Sequence, residues 1–344
     1  MKVINEWSTT DTVREGVLLA IGNTPLVRLK RVCKDIKFNL YAKLEMLNPG
    51  GSIKDRTAIS ILEQGIRTGL VNRNTVIIES SSGNMGVGLA QACSFHGLKF
   101  ICVVDAKTTA QNTRILRAYG AEIVCIDEPD PETGEYLKAR IDRVEYLLRT
   151  VKNSFWPNQY ANVYNPRAHH RTMHEITTTL GGRLDYLFCA TSTCGTLRGC
   201  AEYVKQNKLP TKIIAVDAVG SVIFGGQKAK RLIPGHGAAI TPPLFQSDLA
   251  HQVVHVTDLD CVVGCRRLAR CEAILAGGSS GAVITAVTMM SDQIPRDAMC
   301  GIILPDRGER YLDTIYSNQW VEEHFGDVAY NWEEYEEECV AIAS

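Results

Sequence analysis

Short β-branched runs alternate with longer amphipathic segments along nearly the whole chain, and this alternation constrains the fold more than any other feature. Strand-like runs fall at Asn39–Leu47, Thr75–Glu79, Lys99–Val104, Glu122–Ile126, Asp185–Cys189, Lys212–Asp217, Val253–Val256, Ala273–Leu275 and Gly301–Leu304. Helical periodicity fills most intervals: Leu137, Ile141, Val144 and Leu148 fall on one stripe between Tyr136 and Thr150. Strands joined through helices run parallel, because each helix carries the chain back to the same sheet edge. The expected fold class is α/β, with two open, doubly wound, mostly parallel sheets. One draws on the runs from Asn39 to Ile126, the other on those from Asp185 to Leu304.

At 344 residues the chain is long enough for about two domains of roughly 150 residues each. Lys and Arg total 37 against 38 Asp and Glu, so no global field attracts a nucleic acid or an anionic membrane surface. No apolar run reaches the ~18 residues of a membrane span. The N-terminal MKVINEWSTT lacks the apolar stretch of a secretion leader, so the expected compartment is the cytoplasm. The 12 cysteines then read as thiols rather than a disulfide scaffold. Cys261 and Cys265 are four residues apart on a predicted helix, without a second pair at zinc-finger spacing, so core packing accounts for them and no metal is expected. The stretch from Trp156 to His174 has weak periodicity and reads as an inter-domain connection. Within it His169, His170 and Arg171 read as surface residues at a helix start.

In open parallel sheets ligands bind where the carboxyl end of a strand turns into a helix N-terminus. Four turns of this kind are rich in Gly, Ser and Thr. NPGGSIKDR, Asn48 to Arg56, lacks the spacing of a phosphate-binding P-loop and puts Lys54 at a helix start. Dipole and burial there both disfavour an ammonium, giving the neutral amine a Schiff base needs; the alternative is a surface lysine beyond a plain turn. SSSGNMG, Ser80 to Gly86, offers amides and hydroxyls to a carboxylate, or simply caps a helix. TSTCGT, Thr191 to Thr196, suits either a phosphate monoester or a capped turn. AGGSSGA, Ala276 to Ala282, presents serines able to hydrogen-bond a ligand nitrogen without adding charge, or is only a turn.

In order along the chain, IGNTPLVRL (Ile21–Leu29), NPGGSIKDR, SSSGNMG, AQNTRILRAYGA (Ala110–Ala121), TSTCGT and AGGSSGA with PDRGERY resemble the fold-type II pyridoxal-phosphate enzymes of the cysteine synthase family, over Ile21 to about Tyr316. Four further segments are similar to a branch of that family that makes a 2,3-diaminopropionate precursor for siderophores. They are EPD (Glu128–Asp130), FWPNQYAN (Phe155–Asn162), VDAVGSVIFG (Val216–Gly225) and ILPDRGERYLD (Ile303–Asp313).

The resemblance implies a pyridoxal 5'-phosphate enzyme with the cofactor in an inter-domain cleft. A smaller, mobile substrate-loop domain would cover 48–165, a larger cofactor-binding domain 14–47 plus 166–328, and an acidic tail 329–344. Lys54 would carry the cofactor as a Schiff base and act as general base, and Asn84 would bond the cofactor's 3'-oxygen. Ser192, Thr193, Cys194, Gly195 and Thr196 would hold its phosphate, and Ser279 would face the pyridine nitrogen. Ser81, Ser82, Gly83 and Asn84 would grip the substrate α-carboxylate. The implied reaction is a C–N bond-forming transfer joining O-phospho-L-serine and L-glutamate, in a homodimer. The extra anionic groups of those substrates call for further donors, and Arg140, Tyr160 and Ser192 are the candidates. A cysteine synthase using acetylserine and sulfide is the alternative, and a catalytically silent binding relative is the non-enzymatic one.

Two departures from the family pattern matter. Asp306 and Arg307 stand where cysteine synthases carry two serines, which weighs against sulfide because a charged pair would alter the surroundings of the cofactor ring. Cys194 stands where a threonine is usual: a thiol at a helix N-terminus can be alkylation-sensitive once the cofactor is removed, with weaker cofactor binding after modification, and the alternative is a small buried filler.

Overall fold

The computed structural model describes residues 13–33, 36–329 and 332. Of the predicted acidic tail, all but Ala329 and Trp332 lies outside the described residues. The chain divides into two compact units, Met1–Asn23 with Asn48–Ala168, and Thr24–Leu47 with His169–Ser344.

The first unit is built on four parallel strands, β3 (Val76–Ser80), β4 (Lys99–Asp105), β5 (Glu122–Ile126) and β6 (Ser154–Phe155), in the order β5-β4-β3-β6. Successive strand residues point to opposite faces, and both faces are apolar here. Ile77 packs with Ala58, Ile61 and Leu62 of α1 (Lys54–Arg67), with Met85 and Leu89 of α2 (Asn84–His96), and with Leu116 of α3 (Ala110–Ala118). Its neighbour Ile78 packs on the other face with Ile101, Val103 and Val144, the last from α4 (Tyr136–Thr150). Helices therefore cover both sides of a parallel sheet, the doubly wound arrangement that the strand alternation predicts. All four strands present their carboxyl ends at one edge.

The second unit has six strands: β1 (Leu26–Leu29), β2 (Asn39–Leu44), β7 (Tyr186–Ala190), β8 (Lys212–Ala218), β9 (Gln252–Val256) and β10 (Met299–Leu304), in the order β1-β2-β10-β7-β8-β9. Only β1 runs antiparallel. Its core joins Leu40, Phe188, Ile214 and Ile302 of the sheet to residues of α7 (Asp258–Glu272) and α8 (Gly278–Met289). The remaining helices are α5 (Tyr164–Thr179), α6 (Gly195–Gln206) and α9 (Asn318–Phe325).

The structure corrects several readings. The run from Asn39 belongs to the second sheet, where β2 pairs with β10, and it stops at Leu44 because Glu45–Leu47 form a 3₁₀ turn. Ala273–Leu275 is not a strand: Ala273 caps α7 in the left-handed region at φ 56°, and the only pairing nearby is an isolated bridge between Ala276 and Arg307. The weakly periodic stretch after Trp156 contains α5, which places His169, His170 and Arg171 inside a helix rather than at its start. Among the described residues ten cysteines are free, as expected, but Cys271 is disulfide-bonded, which corrects the reading of every cysteine as a thiol. Among the described residues no group of His, Cys, Asp and Glu suits a metal, and no helix is long and apolar enough to cross a membrane.

Candidate active site

Lys54 opens α1 at the end of a turn tied by its own residues. Asp55, buried, accepts the Gly50 amide at 2.5 Å, Ser52 Oγ accepts the Lys54 amide at 3.2 Å, and the Asn48 carbonyl accepts the Gly51 amide at 2.8 Å. Gly51 supplies the positive φ (85°) that this turn requires. The turn is therefore fixed before any ligand arrives, and the Lys54 side chain is half-buried. α2 presses onto α1 at this point. A Cβ added at Gly88 would stand 3.1 Å from Ala58 Cβ and 3.2 Å from the Lys54 carbonyl, so glycine lets the helix carrying Asn84 approach the backbone of Lys54.

The Ser81–Asn84 loop joins β3 to α2. Ser81 is buried, and its hydroxyl accepts the amides of Gly86 at 2.9 Å and Gly83 at 3.3 Å. Its side chain thus shapes the loop from within, while Ser82, Gly83 and Asn84 remain half-buried. Asn112, from α3, braces the loop by donating to the Ser82 carbonyl at 3.0 Å.

Two features at the same sheet edge stand behind that loop. Arg140 is 9% exposed, and its Nε lies 3.3 Å from Asp105 Oδ2 at the end of β4. It lies on the buried face of α4 beside Val144, whereas Leu137, Ile141 and Leu148 of the predicted stripe are only partly covered. Glu79, at the end of β3, escaped the sequence reading. Only 1% exposed, it accepts from Ser80 N at 2.8 Å, Trp156 Nε1 at 3.0 Å and Gln159 N at 3.2 Å. Burial pushes its carboxyl up to about 7, opposed by these donors and by the Arg140 charge. Gln159 is further held by Asn165 Nδ2 on its carbonyl at 2.7 Å, and Asn165 accepts from Thr57 Oγ1 at 3.2 Å. Tyr160, half-buried, is the next residue of this braced segment.

In the second unit, β7 leads through Thr191–Cys194 into α6. Thr191 anchors the turn by donating to Asp217 Oδ1 at 2.8 Å. Cys194 caps α6 at φ 63°, a left-handed conformation that L residues adopt rarely and that functional turns retain. The first amides of a helix have no intrahelical acceptors, so a turn of this kind presents donors to an anion. Ser192 and Thr196 are half-buried, Thr193 and Gly195 buried. Cys194 is itself only 2% exposed, which agrees with the buried-filler reading and not with ready alkylation: a reagent reaches the thiol only if the turn opens. His169 is likewise fully buried, with Nε2 3.4 Å from Thr196 Oγ1. It supports the turn and is not a surface residue.

The Ser279 turn lies at the neighbouring strand end, because β10 pairs directly with β7 and the segment after β10 is bridged to Ala276. Tyr316 clamps it, donating to the Ala276 carbonyl at 2.6 Å and accepting its amide at 3.1 Å. The Gly277 amide donates to the Asp306 carbonyl at 3.1 Å, and Cys265 Sγ donates to the Gly277 carbonyl at 3.1 Å. A Cβ on Gly277 would fall 2.1 Å from Asp306 Oδ1, so the turn admits no side chain there. Asp306 is buried and accepts from Tyr311 Oη at 2.5 Å, whereas Arg307 is exposed and donates to the Met46 carbonyl at 2.9 Å. The charge pair read from PDRG is thus split, one member committed to a phenol and the other to a backbone oxygen.

The first unit thus carries a helix-start lysine and an asparagine-bearing loop, and the second a left-handed hydroxyl-rich turn and a clamped serine turn. The family profile described as "Pyridoxal-phosphate dependent enzyme" matches residues 17–306. The chain belongs to the pyridoxal-phosphate dependent enzyme family. Solved structures agree with that assignment. A hydrogen sulfide-producing enzyme from Fusobacterium nucleatum is 32% identical at TM-score 0.82, over 87% of this chain and 100% of its own. An O-acetylserine dependent cystathionine beta-synthase from Helicobacter pylori is 32% identical at TM-score 0.83, over 89% and 100%. O-ureido-L-serine synthase is 27% identical at TM-score 0.83, over 97% and 100%. The protein thus has the fold of the cysteine synthase type of pyridoxal-phosphate enzyme. The chemistry of these residues fits the cofactor: in the first unit Lys54 offers an amine, and in the second the 192–196 turn offers donors to a phosphate and Ser279 a neutral hydroxyl. Beside it, the fully buried Ser280 hydroxyl has no hydrogen-bond partner among the described residues, so a bound group could supply one.

Proposed function

We propose that this pyridoxal-phosphate enzyme is an N-(2-amino-2-carboxyethyl)-L-glutamate synthase. It would join O-phospho-L-serine to L-glutamate with release of phosphate and supply 2,3-diaminopropionate for a siderophore or related metabolite. The observation that carries the reading is Arg140, a buried guanidinium at the same sheet edge as the Ser82–Asn84 loop and Tyr160. Sulfide is small and needs no such cation; a second dicarboxylic amino acid does. A homodimer working in the cytoplasm completes the proposal.

Bound pyridoxal phosphate supplies the electron sink that acidifies Cα and lets the β-substituent leave. Lys54 Nζ takes the Cα proton and returns it once the nucleophile has added at Cβ. Ser82, Gly83 and Asn84 hold the α-carboxylate, with Ser81 keeping the loop in shape. Ser279 would offer the ring nitrogen a hydrogen bond without a negative charge, which would favour expulsion of the β-group over transamination. Arg140, shared with Asp105, and Tyr160 orient the second amino acid. Ser192 would donate to the cofactor phosphate and is a candidate donor to the leaving group.

The test is a two-step assay on purified, cofactor-loaded protein. O-Phosphoserine should change the visible band and release phosphate, and glutamate should restore the band with formation of the secondary-amine product. Arg140→Gln should raise KM for glutamate by about 10–100-fold, the loss of one charge-assisted contact, and leave the donor step unchanged. The two 32%-identical relatives favour a second reading, sulfide chemistry on acetylserine. Turnover of acetylserine with sulfide, and none of phosphoserine with glutamate, would establish that alternative.

A further inference from the structure

β6 pairs with β3 for only two residues, Val76 with Ser154 and Ile77 with Phe155. The ladder stops there, and Pro157, just beyond, has no N–H with which to resume it. A side chain takes the place of the missing backbone pairing. Glu79 Oε1 accepts the Ser80 amide at 2.8 Å and the Trp156 indole N–H at 3.0 Å, and its Oε2 accepts the Gln159 amide at 3.2 Å. A second tie runs beside it, from Gln159 Nε2 to the Ser80 carbonyl at 3.4 Å. The segment so fastened, part of the FWPNQYAN run, is a compact turn. Asn158 takes φ 48°, its carbonyl accepts the amides of Ala161 at 3.1 Å and Asn162 at 2.9 Å, and Asn162 Nδ2 donates to the Pro157 carbonyl at 2.9 Å. Tyr160 therefore sits in a turn closed on itself, and Glu79 joins that turn to the root of the Ser81–Asn84 loop. The loop is braced on its other side by Cys102 Sγ, which donates to the Ser81 carbonyl at 3.2 Å, and by Asn112 on the Ser82 carbonyl.

We propose that Glu79 is a positioning residue for the second amino acid: acting through Gln159 and Tyr160 rather than by contact, it fixes their turn against the root of the carboxylate-binding loop. The inference rests on the reading of Tyr160 as a contact of the second amino acid and of Ser82–Asn84 as the α-carboxylate loop. Burial opposes the Glu79 charge and pushes the carboxyl up to about 7, so stability alone does not account for an acid here. Of the groups that face it, the Cys102 thiol on β4, pushed up to about 12, is uncharged, and Arg140 on α4, paired with Asp105, favours the carboxylate. Above about pH 7 the ionised carboxylate accepts all three donors as charge-assisted hydrogen bonds. Below it a proton occupies one oxygen, and the hold on Gln159 weakens.

The experiment compares cofactor-loaded wild type, Glu79→Gln and Gln159→Ala in steady-state kinetics with O-phosphoserine and glutamate across pH 5.5 to 8.5. A glutamine at 79 keeps an oxygen for Ser80 and Trp156 but turns its N–H₂ toward the Gln159 amide, so the turn is released while the root of the loop keeps its acceptor. At pH 8 Glu79→Gln should raise KM for glutamate about tenfold, with KM for O-phosphoserine and cofactor affinity within about twofold of wild type. The ratio of variant to wild-type KM for glutamate should fall toward one at pH 5.5, where the protonated wild-type carboxyl resembles the amide. Ionisations of the substrate and of Lys54 are common to both proteins and cancel in that ratio. Gln159→Ala removes only the second tie and should raise KM for glutamate about threefold; it decides the question alone if Glu79→Gln does not fold. An unchanged KM for glutamate at pH 8 overturns the proposal. So does an equal rise in KM for both substrates, the mark of a merely structural carboxyl, and so does a ratio that stays high at pH 5.5, which would mean that the glutamine itself disturbs the turn. Wild type that turns over acetylserine with sulfide, but not phosphoserine with glutamate, would instead refute the substrate reading itself, and this role of Glu79 with it.

Discussion

Glu79 carries the prediction with the firmest magnitude. Its carboxyl rises from 4.5 to about 7 because burial outweighs three hydrogen-bond donors and the Arg140 charge. Between those two pH values the folded protein holds a proton that the unfolded chain has released. The stability tied to that proton is therefore complete below about pH 4.5 and is lost as pH rises through 7. At 1.36 kcal/mol per unit the loss is about 3 kcal/mol. Glu79→Gln removes the titration. It also turns an amide N–H₂ toward the Gln159 amide, which now has an acceptor, and this adds a cost that does not vary with pH. Urea unfolding of both proteins at fixed cofactor concentration, followed by tryptophan fluorescence, gives the difference in stability at each pH. That difference should shift by about 3 kcal/mol against wild type from pH 4.5 to 8 and level off above. A flat difference would show that Glu79 is ionised throughout, and that the donors, not burial, set its proton affinity.

Lys54→Ala should abolish the visible cofactor band and lower turnover by about 10³-fold or more, since it removes both the covalent attachment and the base; an active variant would refute the assignment. Gly88→Ala puts a methyl 3.1 Å from Ala58 Cβ and 3.2 Å from the Lys54 carbonyl, so the two helices must part. The expected cost is about 1–3 kcal/mol in denaturant unfolding, together with weaker cofactor retention, because the displaced backbone is that of Lys54 itself.

Much of this architecture was legible in the sequence where burial and periodicity coincide. The strands at Lys99, Glu122 and Lys212 read clearly because their apolar runs are bounded by turns. α5 was illegible because its buried face includes His169 and Thr172 beside Met173 and Ile176, so a hydrophobic stripe was interrupted by polar residues that the fold buries anyway. β6 is two residues long and β1 four, too short for a period to register. Ala273–Leu275 misled in the other direction: apolar residues there follow a left-handed helix cap instead of extending. Lys54, Asn84 and Ser279 could be singled out because glycine-rich turns precede them. Glu79 and Gln159 could not, since nothing local distinguishes a buried carboxylate or amide from an exposed one; only the residues brought to them by the fold do that.

The position of β2 has a consequence for how the protein is made. Asn39 pairs with Met299 and Leu44 with Leu304, and β2 sits between β1 and β10. On the ribosome the early strand must wait, with only β1 beside it, until nearly the entire polypeptide has emerged. The four-stranded sheet, whose strands lie between Val76 and Phe155, can assemble much sooner. Nascent chains cut short before β10 should therefore hold one finished sheet and an unprotected hairpin edge, the form in which chaperone binding or aggregation would concentrate.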